Sequence, residues 1–147
     1  MNRNPHKIWG LAVAALVIIY LHPACGGDSD YPSAPSGGGS PVGATIFITA
    51  SGVSDASPRI ALGQRVRFTN NDSRPHQILT TPHQIHTDCP ALNLDMLQPG
   101  QSKESGALNE RRGCGFHDHL NPDDQRLRGQ VRVGFSQGDP DPPPSDY

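Results

Sequence analysis

The chain has 147 residues, with 34% hydrophobic and 5% aromatic content and a formal net charge of −2. So little apolar material excludes a large core. The scattered arginines and scarce aromatics exclude a nucleic-acid interface built from a basic stripe and stacking rings.

Residues 1–7 carry Arg3 and Lys7 and no acid, and residues 8–21 are almost wholly apolar. A basic start followed by a short apolar run reads as an export signal. A membrane-spanning helix needs about 18 or more such residues, and Pro23 closes this run. Ala24-Cys25-Gly26-Gly27 is similar to a bacterial lipoprotein cleavage site, which implies a signal over 1–25 and a lipid on Cys25. His22 and Pro23 depart from that pattern. The alternative is ordinary cleavage nearby, which leaves Cys25 incidental. Residues 26–43 are Gly-, Ser- and Pro-rich and read as a flexible tether.

The foldable part is 44–135, one domain with a thin core, where nine Arg and one Lys face nine acids. Strand signals dominate it. Residues 45–49 are β-branched and aromatic. Residues 64–69 alternate, with Val66 and Phe68 on one face. A short strand follows His76 at 77–80. A weak one is expected at 102–108 after the Pro99-Gly100 turn. Residues 93–97 suit a short helix or turn. The last strand, 130–135, points Val131, Val133 and Phe135 inward. Residues 136–147 are Pro, Asp and Ser and read as a disordered tail. The expected architecture is all-β, a Greek-key sandwich.

All five histidines of this domain (His76, His83, His86, His117 and His119) and both its cysteines, Cys89 and Cys114, fall between residues 76 and 119. Such clustering of N and S ligands favours a metal site. His76 follows a strand, and Cys114 and His117 precede the last one. Loops meeting at one pole of a sandwich would bring two imidazoles and one thiolate together, the donor set of blue copper.

The stretches Val66-Arg-Phe-Thr-Asn-Asn-Asp-Ser-Arg-Pro-His76, Leu97-Gln-Pro-Gly-Gln-Ser102, Cys114-Gly-Phe-His117 and Leu127-Arg-Gly-Gln-Val-Arg-Val133 together resemble the cupredoxins, the plastocyanin and azurin class. The resemblance implies a cupredoxin-like sandwich holding one type 1 copper on His76, Cys114 and His117. It further implies a carrier of single electrons, with a redox partner the sequence does not name; with its export signal, the chain is expected to be an exported monomer and not an enzyme. Leu127 stands where the family has its axial Met, which implies a raised reduction potential. The loop after His117 is longer than usual and supplies His119 as an alternative or axial ligand. Asn109-Glu-Arg-Arg-Gly113 replaces the usual aromatics before the cysteine.

Other readings stay open. Cys89 and Cys114 could pair in an oxidising compartment, which would deny Cys114 to copper. Cys89 could otherwise be a buried thiol, a second-site ligand or a free reactive residue. His83, His86 and Cys89 could hold zinc, although a structural site needs a fourth ligand. Arg111 and Arg112 could face an acidic partner. A Cys114–His117 nucleophile pair has no readable third group or oxyanion site. Two alternative functions follow: copper handling without redox turnover, and a disulfide-stabilised interaction domain that has lost its metal.

Overall fold

The computed structural model describes residues 39–145. The export signal, Cys25 and most of the tether lie outside the described residues.

Eight strands form two four-stranded sheets. They are β1 (Val42–Thr49), β2 (Gly52–Val53), β3 (Arg59–Ile60), β4 (Arg65–Asn70), β5 (Ile78–Thr80), β6 (Ser102–Glu104), β7 (Arg112–Asp118) and β8 (Arg128–Val133). The first sheet runs β2-β1-β4-β6 and the second β3-β8-β7-β5. The β1–β4 and β3–β8 pairs are parallel, and the other pairs are antiparallel. This is the expected Greek-key sandwich.

Alternation builds the core. Ile46 and Ile48 of β1 and Val66 and Phe68 of β4 are all 0% exposed. They face Ile60, Ile78, Phe116, Val131 and Val133 of the second sheet. Phe68 meets Phe116 edge-to-face with ring centroids 5.3 Å apart, the favoured aromatic arrangement. Leu92, Leu94, Leu97, Leu108 and Leu127 close the core from the connections.

Several local expectations shift. β1 begins at Val42, inside the expected tether, because Arg65 N–H donates to the Pro41 carbonyl and extends the pairing. The weak strand shortens to β6. A 3-10 turn falls at Pro90–Leu92, where proline suits a helix start, while Leu97 bridges to His76 in extended conformation. β8 stops at Val133, and Gly134 turns the chain at φ +73°. Phe135 therefore leaves the core and lies under the Arg111 guanidinium, 4.2 Å from its ring centroid.

The described end of the tail, 136–145, is held against the second sheet. Asp141 pairs with Arg59 and Arg132 at 2.8 and 2.9 Å, and Asp139 with Arg111 at 3.2 Å. Gln130 Nε2 donates to the Pro143 carbonyl and to Ser145 Oγ. Gly113 and Gly115 make room for it: a Cβ on Gly115 would lie 2.4 Å from that of Ser145. Composition alone shows the shortage of apolar residues but not these ion pairs.

Candidate metal centre

The site is organised by β7. It was expected to be a loop at Cys114 and His117, but Arg112–Asp118 is a continuous strand. Side chains of a strand alternate between faces. Cys114, Phe116 and Asp118 therefore point into the sandwich, and His117 points out, with His119 on the same side just past the strand end. A step of three residues places Cys114 and His117 on opposite faces of the sheet.

On the inner face, Cys114 is bonded to Cys89. A sulfur committed to a disulfide is no thiolate ligand. His76 is fully buried and both of its ring nitrogens are engaged: Nδ1 lies 2.9 Å from Asp118 Oδ2 and Nε2 3.2 Å from Asp72 Oδ2. Asp118 also accepts from the Gln77 and Leu120 N–H groups and from Asn121 Nδ2. Burial raises the Asp72 carboxyl, but bonds from Ser73 N–H, Arg74 and His76 outweigh it and hold the group near about 2. Buried polar groups need such partners, and here they are supplied by protein. Asn70 ties the turn before His76 to the neighbouring segment, donating to the Arg74 and Leu97 carbonyls. Leu127 is packed in the hydrophobic core. The set His76, Cys114 and His117 is thus not assembled around a common point, because strand alternation, the disulfide and the two carboxylates separate it.

The outer face gathers the other histidines. His117 and His119 are met by His83 and His86 from the segment between β5 and the 3-10 turn. One ligating nitrogen from each of the four lies within 4.8 Å of all the others. His83 Nδ1 and His117 Nε2 are 3.1 Å apart. The ring centroids of His86 and His119 are 4.8 Å apart. His86 Nε2, His117 Nδ1 and His119 Nδ1 are buried and have no hydrogen-bond partner. An orphaned buried polar atom is costly, so this cluster is expected to take a ligand.

Electrostatics favour the neutral form of His117 and of His86. Burial, then the neighbouring His83, His86 and His119 and Arg128, push His117 down to about 4. Burial and the charges of His119 and His83 lower His86 as well. Neutral imidazoles are the metal-binding form. Metal–imidazole bonds of about 2.0–2.1 Å set ligand nitrogens roughly 3–4 Å apart around one ion, so the cluster needs only a small contraction. Four imidazoles suit copper, zinc or nickel.

In sequence, His83 and His86 read as a second site with Cys89, apart from His117 and His119. The H-x-H spacing of His117 and His119 was the available signal, since residues two apart on a strand share a face.

The two sheets, their strand order and this pole of the sandwich define a cupredoxin-like fold. No protein-family model and no curated protein matches the chain. Among solved structures, a purple cupredoxin from Nitrosopumilus maritimus is similar with a TM-score of 0.51 and 25% identity, covering 61% of this chain and 98% of that one. A reduced amicyanin mutant gives 0.50 and 19%, covering 62% and 81%. An oxidized amicyanin mutant gives 0.50 and 20%, covering 64% and 91%. Among the described residues no helix is long and apolar enough to cross a membrane.

Proposed function

We propose that this protein binds a single copper ion through His83, His86, His117 and His119, as a metal-binding protein of the cell envelope rather than an enzyme. The carrying observation is the convergence of four imidazoles, three of them with buried, unpartnered nitrogens. Copper is favoured over zinc because imidazole affinity peaks at Cu(II) in the divalent series, and because the similar structures include a purple cupredoxin. The signal-like N-terminus supports a location outside the cytoplasm, with Cys25 as the candidate lipid tether, and a disulfide persists in such a compartment.

This reading is the copper-handling alternative of the sequence analysis. The second reading is the single-electron carrier with type 1 copper on His76, Cys114 and His117. The cupredoxin likeness favours it, but it requires an opened disulfide and a His76 released from two carboxylates.

Titration of the metal-free protein with Cu(II) separates the two. The histidine site predicts one equivalent bound, weak ligand-field absorption, and loss of binding in His117→Ala and His86→Ala. An intense thiolate-to-copper band that disappears in Cys114→Ser would establish the carrier site instead. Failure to bind one equivalent would end the metal reading.

A further inference from the structure

The disulfide lies between the two segments that carry the histidine cluster. Cys89 ends the segment that carries His83 and His86. Cys114 belongs to β7, three residues before His117. The bond therefore joins covalently the two pieces of chain that each supply half of the ligands.

The His83–His86 segment is a turn held at His86, whose N–H donates to the Pro82 carbonyl and whose carbonyl accepts from Asn93 Nδ2. Ile85, its apolar residue, is 64% exposed. Gln84 and His86 have φ of 85° and 51°, in the left-handed region that side-chain-bearing residues seldom occupy. Such conformations last only where the surroundings enforce them. Further contacts hold the flanks of the segment. Thr81 N–H donates to the Gly115 carbonyl, Asp88 N–H to the Thr81 carbonyl and Cys89 N–H to Thr80 Oγ1. Arg112 pairs with Asp88. The disulfide is the one covalent member of this set.

Both cysteines are buried, yet they line a cleft of about 280 Å³ together with Pro90, Ala107, Leu108 and Arg112. Cys89 is the more exposed of the two, at 6% against 1% for Cys114.

We propose that the Cys89–Cys114 disulfide is a redox-sensitive latch of the four-histidine site, closed for metal binding when oxidised and open for metal release when reduced. This rests on the metal reading given above. The reductant is a dithiol. Its first thiolate attacks Cys89 Sγ. The Cys89–Cys114 bond breaks, and its electron pair leaves on Cys114 Sγ, which takes up a proton. The second thiolate then attacks the mixed disulfide and releases Cys89 as a thiol. The protein gains two thiols and the dithiol becomes a cyclic disulfide. With the tie gone, Gln84 and His86 relax out of the left-handed region, and the His83–His86 pair disperses from His117 and His119. The freed thiols remain on the inner side of β7, away from the imidazoles.

The test uses the full chain and Zn(II), which does not oxidise thiols, in competition with a chromophoric chelator. Oxidised protein is expected to bind one Zn(II). A folded Cys89→Ser/Cys114→Ser variant is expected to bind at least about tenfold more weakly, the scale of losing a group that orients ligands. Unchanged affinity in that variant overturns the latch and leaves the metal site standing. Absence of Zn(II) and Cu(II) binding by the oxidised protein overturns both. A second measurement needs no variant. Coupling between two sites is reciprocal, so saturating buffered Zn(II) must shift the disulfide's equilibrium with a dithiol buffer at least about tenfold toward the oxidised form. No shift, or a shift toward the thiols, overturns the latch.

Discussion

Asp118 and its neighbours His117 and His119 sit at the same end of one strand, yet they belong to opposite kinds of chemistry. Asp118 faces inward, where His76, two backbone N–H groups and Asn121 satisfy it. His117 and His119 face outward toward His83 and His86, and each keeps a buried nitrogen without a partner. The inner histidine has both ring nitrogens engaged by carboxylates. The outer histidines carry the proposed site, and three of them keep a buried nitrogen without a partner. Burial does not distinguish them, since His76 and His117 are 0% and 1% exposed. The accounting of ring nitrogens does.

The comparison breaks most sharply at Asp118. Asp118→Ala is expected to cost about 1–3 kcal/mol or more, because it leaves buried donors around His76 without their acceptor. Urea unfolding of the metal-free protein measures it. A cost below about 1 kcal/mol would mean that His76 is not held as described.

The outer face should respond in the reverse sense. His117→Ala is expected to weaken Cu(II) binding by more than the roughly 10–100-fold of an outer-shell change, with little loss of stability. Calorimetric titration and unfolding on the same sample separate the two quantities. A large loss of stability with unchanged binding would exchange the roles of the two faces.

A pH series sharpens the contrast more gently. His117 is lowered to about 4 in the folded protein, and His86 is lowered too. Between pH ~4 and ~6.5 the unfolded chain therefore binds more protons at these groups, so they make stability rise with pH across that window and level off above it. In His117→Ala this rise should shrink, which thermal unfolding at several pH values detects. An unaltered slope would show that His117 is not held neutral.

The smallest effect belongs to the surface, away from both faces. Arg67 pairs with Glu104 at 2.6 Å on the first sheet, with Arg67 largely solvated. Exposed pairs contribute little. Arg67→Ala should cost less than about 1 kcal/mol and leave metal binding unchanged.

Much of the sandwich was legible because alternation is a local signal. Val66 and Phe68, and Val131 and Val133, point where their period of two places them. The strand through Cys114 and His117 was not legible in the same way. Its glycines, Gly113 and Gly115, weaken the strand pattern, and their purpose lies in the tail that packs over them. The grouping of histidines and cysteines in one region was visible, but their partition was not. It depends on which side of β7 each residue occupies, and on a disulfide between residues 25 positions apart. A pair of facing carboxylates from Asp72 and Asp118 likewise joins distant parts of the chain around His76, which spacing alone does not reveal.

X-ray absorption of the oxidised, copper-loaded protein tests the central claim most directly. A copper first shell made of nitrogen or oxygen donors, with the outer-shell scattering of four imidazoles and no sulfur, is the predicted result. A sulfur at bonding distance, absent in Cys114→Ser, would contradict it and return the metal to the inner face of the strand.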